Sequence, residues 1–599
     1  MKKRIVSLLL TSVMAASLVL GGCGKSASTE APAESAGGSA SEEAPAESAG
    51  GDGASEEAAV GTPPEVSHDE ELVVEFYNVA SNYQGIQPGW FGKAVKDKFN
   101  MSLNIIAPQV SGDGEALYQT RTAAGNLGDI VLLDNSQMLE CVDVGLIADI
   151  SEDIKNYPNL MKYYEQIKLF NEQIGADGIW GIPTEMNSNG PTAFKGRQID
   201  SMPRVPWDLY TELGRPELKN LDDLLKLLAD MQAAHPTNEN GDPAYAISMW
   251  KDWDGTSIEN VNQLTKWYGQ QVNGSVLIGD DNTIMPLNDK NGAYYKMLKF
   301  FFDANQLGIV DPDSATQDWN ATVDKMRTRR MYLIWNNWMT GHSNTPEKGE
   351  AGQNYVALPV GDMRFFQQSD PYYGSGRVFG IGAQVSEENK LRILEFLDWY
   401  ASTEGLELQH AGNEGLIYTV REDGTFELTE DGYNRLAGEL IVPEELGGGN
   451  WNDGNNQINQ WIVGSVETDP NTGEPYDTGS WSASIEKNNT KTTKEYNEFF
   501  DCEHEVDYVT KNGMCSPIPN INKVLEIDTT DIGLIRSQCK TIVCDSSWKA
   551  IFAKDEAEFE AIWDDMCTQL EGFGWNDLVE FDTAKYQVVI DARKEAMGQ

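Results

Sequence analysis

Apolar and polar positions alternate clearly in the first folded stretch of the chain. Leu72-Val73-Val74-Glu75-Phe76-Tyr77 reads as a strand. A Gly/Pro loop from Gly85 to Gly89 follows, and Trp90–Phe99 then carries Phe91, Val95 and Phe99 at spacings of four, which predicts a helix. Met101–Ala107 predicts a second strand, Tyr118–Ala124 a second helix and Gly128–Leu133 a third strand. This β-α-β-α-β alternation predicts an α/β fold with a parallel sheet wrapped by helices. Ligands on such sheets bind beyond the carboxyl ends of the strands. Those ends are Asn78, after the first strand, and Asp134, Asn135 and Ser136, after the third. Two later helices carry their own start signals. Asn220 caps Leu221–Ala234, with Asp222 and Asp223 in the first turn and Pro236 past the end; Ser386 caps Glu387–Ala401. Trp399 lies in the apolar pattern of the second helix and is read as core.

The N-terminus follows a different pattern. Lys2, Lys3 and Arg4 precede an apolar stretch of 16 residues, Ile5 to Leu20, which is short for a membrane span. Residues 1–22 therefore read as a signal peptide. Leu20-Gly21-Gly22-Cys23 resembles the bacterial lipoprotein cleavage motif, which implies that Cys23 receives a diacylglyceryl group and that two acyl chains anchor the chain to a membrane. From Gly24 to about His68 the chain is Ala, Ser, Glu, Gly and Pro, and EAPAESAGG occurs twice, at Glu30–Gly38 and Glu43–Gly51. Such a segment cannot bury enough apolar surface to fold, so 23–68 reads as a lipidated Cys and a disordered tether. Its average reach is roughly 35–40 Å.

Composition narrows the partners. The 599 residues carry a net charge of −49, which disfavours nucleic acid and anionic lipid headgroups and makes uronate-rich sugars less favoured. Seven Cys include no CxxC pair, so a zinc site is not expected; Cys502, Cys515, Cys539, Cys544 and Cys567 leave room for one or two disulfides of unassigned pairing. There is no GxSxG, HExxH or P-loop motif, and the five His lack ligand spacing. No enzyme, cofactor or metal is expected on these grounds, although a carboxylate pair of glycosidase type is not legible in a chain with 94 acidic residues.

An ordered set of segments resembles the extracellular solute-binding proteins of bacterial carbohydrate ABC importers, in their lipoprotein form. The segments are GDIVLLDNSQ followed by GLIADIS, GIWGIPTE (Gly178–Glu185), WDLYTELGRPELKNLDDLLKLL (Trp207–Leu228) and FLDWYASTEGLELQHAGNEGLIYTV (Phe396–Val420). The resemblance is greatest to the long, oligosaccharide-handling branch. It implies a two-lobed periplasmic-binding-protein-like fold of type II, with discontinuous lobes joined by crossover strands and closing on ligand by a hinge. Lobe one is expected at 69–187 and 345–420, lobe two at 188–344 and 421–599. It further implies a monomer on the extracellular face of the membrane that binds an oligosaccharide and passes it to ABC permease subunits. A peptide-binding lipoprotein and a surface polysaccharide-active enzyme are the competing readings.

A sugar ring offers an apolar face and a rim of hydroxyls, so its site needs exposed aromatic rings beside short polar side chains. Three stretches fit. Trp335-Asn336-Asn337-Trp338, after the apolar run Met331–Ile334, combines two indoles with two amides. Trp250 and Trp253 lie among carboxylates, and Tyr373 and Arg377 belong to a Gly-rich aromatic loop. Glu185, Asn187, Glu414 and Trp451 complete the candidate ligand contacts, together with Asn78, Asp134 and Asn135. The stretch Pro236–Asp242 sits where some long relatives carry a calcium loop of EF-hand type. Its oxygens alternate poorly, and Pro243-Ala244-Tyr245 replaces the expected acids, so no calcium is expected.

Overall fold

A computed structural model of the chain describes residues 60–599 apart from 109, 111–113, 174, 176, 437 and 524. The expected signal peptide, Cys23 and most of the expected tether lie outside the described residues. The end of that tether lies against the folded part. The Gly61 amide donates to Lys155 O at 2.9 Å, and His68 Nε2 is 2.7 Å from Glu395 Oε2.

The alternation in Leu72–Asn78 builds the centre of a six-stranded sheet. Its order is Gly85–Ile86, Met101–Ile106, Leu72–Asn78, Ile130–Asp134, Arg377–Ile381, Ile182–Pro183. Leu72–Asn78 pairs in parallel with both Met101–Ile106 and Ile130–Asp134. The late strand Arg377–Ile381 enters antiparallel beside Ile130–Asp134 and sets Arg377 opposite Asp134. Side chains alternate across the sheet. Val74, Phe76, Leu132 and Phe379 pack into one buried cluster, while Tyr77, Val131, Leu133 and Val378 pack into another on the opposite face. The sheet is mixed, with a parallel centre and antiparallel strands toward both edges, and both of its faces are covered. The helices Gly89–Phe99 and Glu387–Tyr400 cover the first of these faces.

A second core forms around the antiparallel strands Ile334–Asn336, Ser201–Pro206 and Tyr355–Ala357. The helix Leu221–Ala234 supplies Leu224, Leu225, Leu227, Leu228 and Met231 to it. That helix starts where the cap predicts: Asn220 Oδ1 accepts the Asp223 amide at 3.1 Å. Ala293–Gln306 and the three long helices Thr530–Ile551, Glu556–Gly572 and Trp575–Ala596 complete the lobe.

The two cores divide the chain differently from the boundaries expected. Residues 421–481 are expected in lobe two, yet Phe426, Leu440, Val442, Trp451, Ile462, Tyr476 and Trp481 pack into the core of lobe one. Residues 345–365 are expected in lobe one, yet Tyr355, Ala357, Leu358, Val360 and Phe365 pack into lobe two. Lobe one is thus built from about 72–186 and 378–481, lobe two from about 199–365 and 496–590. The chain passes between them three times, through 187–198, 366–377 and 482–495. Among the described residues no helix is long and apolar enough to cross a membrane, and all six cysteines are free thiols.

Candidate functional site

Five indoles gather on lobe two. Trp250 and Trp335 are fully buried and stack face to face, ring centroids 5.3 Å apart and planes within 4°. Three further rings pack outside this pair. Trp319 is 4.7 Å from Trp250 and 5.2 Å from Trp338, and Trp253 is 4.8 Å from Trp319. Trp253 and Trp338 are 40% and 43% exposed, so the cluster ends in an open aromatic face. Local backbone decides which ring faces where. The strand Ile334–Asn336 turns Trp335 inward, and the 3-10 turn Asn337–Met339 then swings Trp338 out. Asp318 caps the helix Trp319–Arg327 through the Ala321 amide at 2.9 Å, and Asp252 Oδ1 accepts the Trp319 amide at 3.0 Å, which ties Trp319 to the Trp253 loop.

Gln263 fixes the inner edge of the cluster. Its Oε1 accepts Trp335 Nε1 at 2.7 Å and Asn336 Nδ2 at 2.9 Å, so both groups of the expected Trp-Asn-Asn-Trp site are spent internally. Trp338 and Asn337 border a cavity of about 460 Å³, with Asp200, Glu259, Asn262, Gln263 and Lys266 on its walls. Through Asp200 and Asn337 it adjoins a cavity of about 540 Å³ that sets lobe two against Ser465, Val466, Asp477 and Ser480 of lobe one. A third, of about 700 Å³, places Asp134, Asn135 and Ser136 of lobe one, with Gly376 of the passage between the lobes, across from Thr256 and Gly274 of lobe two. The second and third cavities are lined from both lobes and mark the cleft, and the first adjoins it from lobe two.

Lobe one contributes a polar chain. Glu185 Oε1 accepts Gln460 Nε2 at 2.8 Å, Gln460 Oε1 accepts Arg377 Nη1 at 3.0 Å, and Arg377 Nε lies 3.5 Å from Asp134 Oδ1. Glu185 holds a left-handed backbone (φ 58°), which costs a non-glycine residue about 1–3 kcal/mol.

Several expected contacts belong to the core instead. Trp250 and Trp335 are buried stacking partners. Asn78 is fully buried; its Oδ1 accepts the Ala80 and Ser81 amides and its Nδ2 donates to Ile458 O, so it closes a turn. Asn187 is fully buried and accepts the Asn189 amide. Trp451 is 5% exposed and stacks on Trp90 at 4.2 Å. Asn336 is buried against Gln263. Tyr373 packs edge-on to Tyr372 at 5.0 Å, and Glu414 is exposed on lobe one, where its charge helps to raise the Glu407 carboxyl. Tyr373 and Glu414 are not buried in the core in this way, and with Asp134, Asn135, Glu185, Asn337, Trp338, Trp253 and Arg377 they remain as candidates. Trp319, Gln460, Asp200 and Lys266 were not foreseen. For Trp319 the available signal was Asp318-Trp319-Asn320, an indole between polar residues at a helix start.

The loop Pro236–Tyr245 folds on itself through Asn238. Asn238 Oδ1 accepts the Asn240 and Asp242 amides, and Asn238 Nδ2 donates to Thr328 O. Pro243 O accepts Arg330 Nε at 3.0 Å. Asn238 Oδ1 and Pro243 O are thus engaged within the protein, and Pro243-Ala244-Tyr245 supplies no carboxylate where a calcium loop would carry acids. Among the described residues no three His, Cys, Asp or Glu side chains converge to hold a metal.

Comparison with known proteins agrees with this architecture. Residues 107–407 match the family model described as bacterial extracellular solute-binding protein. The fructooligosaccharide ABC transporter substrate-binding protein FusA of Streptococcus pneumoniae is 24% identical over 258 residues, covering 40% of this chain and 46% of that protein. The polygalacturonan/rhamnogalacturonan-binding protein YtcQ of Bacillus subtilis is 24% identical over 336 residues, 51% of this chain and 58% of that protein. The chain thus spans about half the length of the curated relatives it matches. A solved HMO-binding, ABC-transporter-associated solute-binding protein of Bifidobacterium longum infantis superposes with a TM-score of 0.58 at 14% identity, over 87% of this chain and 100% of that one. FusA in complex with kestose gives 0.57 at 16% identity, over 86% and 99%. Both share the type II two-lobed fold, and these relatives are solute-binding proteins, not enzymes. The chain belongs to the family of bacterial extracellular solute-binding proteins.

Proposed function

We propose that this protein captures a sugar, in particular an oligosaccharide, by closing its two lobes on it, and delivers it to the permease subunits of an ABC importer. The open face of Trp253, Trp319 and Trp338 carries this reading. Three rings, tilted 34–61° to one another over a buried indole pair, offer apolar ring faces on which the C–H face of a pyranose or furanose can stack. The amide of Asn337 and the carboxylate of Asp200 lie beside them for the hydroxyl rim. Closure brings the Asp134–Arg377–Gln460–Glu185 chain of lobe one toward the same ligand. The names of FusA and YtcQ, both oligo- or polysaccharide binders, support a carbohydrate ligand.

In this reading Cys23 carries the lipid anchor, 1–22 is removed as a signal peptide, and the protein works as a monomer on the outer face of the cell membrane. A thermal-shift screen of oligosaccharides and peptides tests the ligand class, because a ligand that binds only the folded state raises Tm by mass action. A saturable shift with one glycan group, without release of reducing ends, is expected. Shifts with peptides alone would favour the peptide-binding alternative, and turnover of the glycan would favour an enzyme.

A further inference from the structure

A cavity of about 480 Å³ opens on lobe two and shares no lining residue with the three cavities at the cleft. It lies where the C-terminal ends of the helices Leu221–Ala234 and Trp319–Arg327 meet the helix Pro346–Glu350. We propose that this cavity binds a tetrahedral oxyanion, either free phosphate or sulfate or the phosphate of a small phosphorylated sugar.

Three cations, Arg327, Arg329 and Lys348, share its walls in a chain that carries 94 acidic and only 45 basic residues. Among the described residues, one of the three is paired with a carboxylate and two are not. Arg329 Nη2 donates to both oxygens of Asp208 at 2.8 Å, which neutralises that carboxylate, while Arg329 Nη1 has no partner. Arg327 and Lys348 have no carboxylate partner among the described residues. Lys348 Nζ donates to Arg327 O at 3.1 Å and to Ser343 O at 2.9 Å, which leaves one N–H to give. The other acidic wall residue, Glu239, is exposed, and His235 is engaged by Glu212 at 2.8 Å.

Arg329 adopts φ 55° just past the helix Trp319–Arg327, where its amide donates to Met326 O and the Arg330 amide donates to Lys325 O, so this left-handed residue is the helix's own C-terminal cap. The cations feel one another. After burial, the charge of Arg329 lowers the Lys348 pKa, and that of Arg327 lowers the His342 pKa. A planar guanidinium fork beside an ammonium matches the oxygens of a phosphate or sulfate, and charge-assisted bonds of this kind are the strong ones. The cavity stands apart from the sugar platform. Arg327 and Trp319 occupy opposite ends of one nine-residue helix, roughly 12 Å apart along its axis.

The test is thermal unfolding of the full chain, titrated at constant ionic strength with inorganic phosphate, with glucose 6-phosphate and with glucose. Phosphate stabilises proteins generally by exclusion from their surface, so the informative readout is saturation and its loss in a variant. Arg327→Gln removes an exposed guanidinium, and Lys348→Met provides a second variant. We expect a saturable shift with inorganic phosphate that is weakened about tenfold or more in either variant. Tighter binding of glucose 6-phosphate than of phosphate would support the sugar-borne ligand, and equal binding would support free phosphate. A response that is linear and identical in wild type and variants overturns the proposal. So does a saturable shift with calcium chloride that Glu239→Gln removes. The outcome does not depend on whether the cleft binds an oligosaccharide.

Discussion

Trp250 and Trp335 lie parallel, 5.3 Å between ring centroids, and neither indole reaches solvent. They are the base on which Trp253, Trp319 and Trp338 rest, so their contribution is to stability. Trp335→Ala empties a large buried volume and frees the Gln263 oxygen, which should cost about 3–5 kcal/mol. Urea unfolding checks this. A midpoint unchanged from wild type would mean that the ring is not part of the core.

Glu185 joins strain to function. Glu185→Gly relieves the left-handed backbone but deletes the carboxylate that orients Gln460 and, through it, Arg377. Stability should stay within about 1 kcal/mol of wild type, while sugar affinity falls severalfold. Denaturant midpoints and calorimetric titration of the same sample separate the two effects. Equal affinity would remove this polar chain from the binding surface.

Two neighbours on one π-helical turn should oppose each other as pH changes. Burial, reinforced by Asp469 and Glu414, raises the Glu407 carboxyl to about 7. Burial lowers His410, set between Trp461 and Tyr476, to about 4. Folded Glu407 keeps a proton that the unfolded chain loses near its ordinary value of 4.5, so its contribution to stability falls as pH rises from about 4.5 to about 7. Folded His410 refuses a proton that the unfolded chain accepts below 6.5, so its contribution rises with pH from about 4 to 6.5. Glu407→Gln removes the falling term. The Tm of the variant relative to wild type should therefore be higher at pH 8 than at pH 5, and an identical difference at both values would contradict the assignment.

The parts of the fold that sequence reveals are those set by local periodicity. Leu72–Tyr77 alternates because both sheet faces need cover, and Asn220 and Ser386 cap helices through their own side chains. The return of 421–481 to lobe one is not a local property. It depends on Trp451 meeting Trp90 across more than three hundred residues, and no window of sequence contains both. The same limit applies within the site. Trp335 and Trp338 have similar neighbours in sequence, and only the change from strand to 3-10 turn sends one inward and the other out. Trp319 escaped notice because its partners Trp250, Trp253 and Trp338 come from two other segments.

Calorimetric titration of Trp338→Ala with the oligosaccharide that stabilises the wild type tests the aromatic platform most directly. Trp338 is 43% exposed, so its removal should leave the Tm of the sugar-free protein nearly unchanged. Affinity should fall severalfold, up to about tenfold, the loss expected when a ring contact of about 0.5–1.5 kcal/mol is deleted. Wild-type affinity in a correctly folded Trp338→Ala protein would contradict the account.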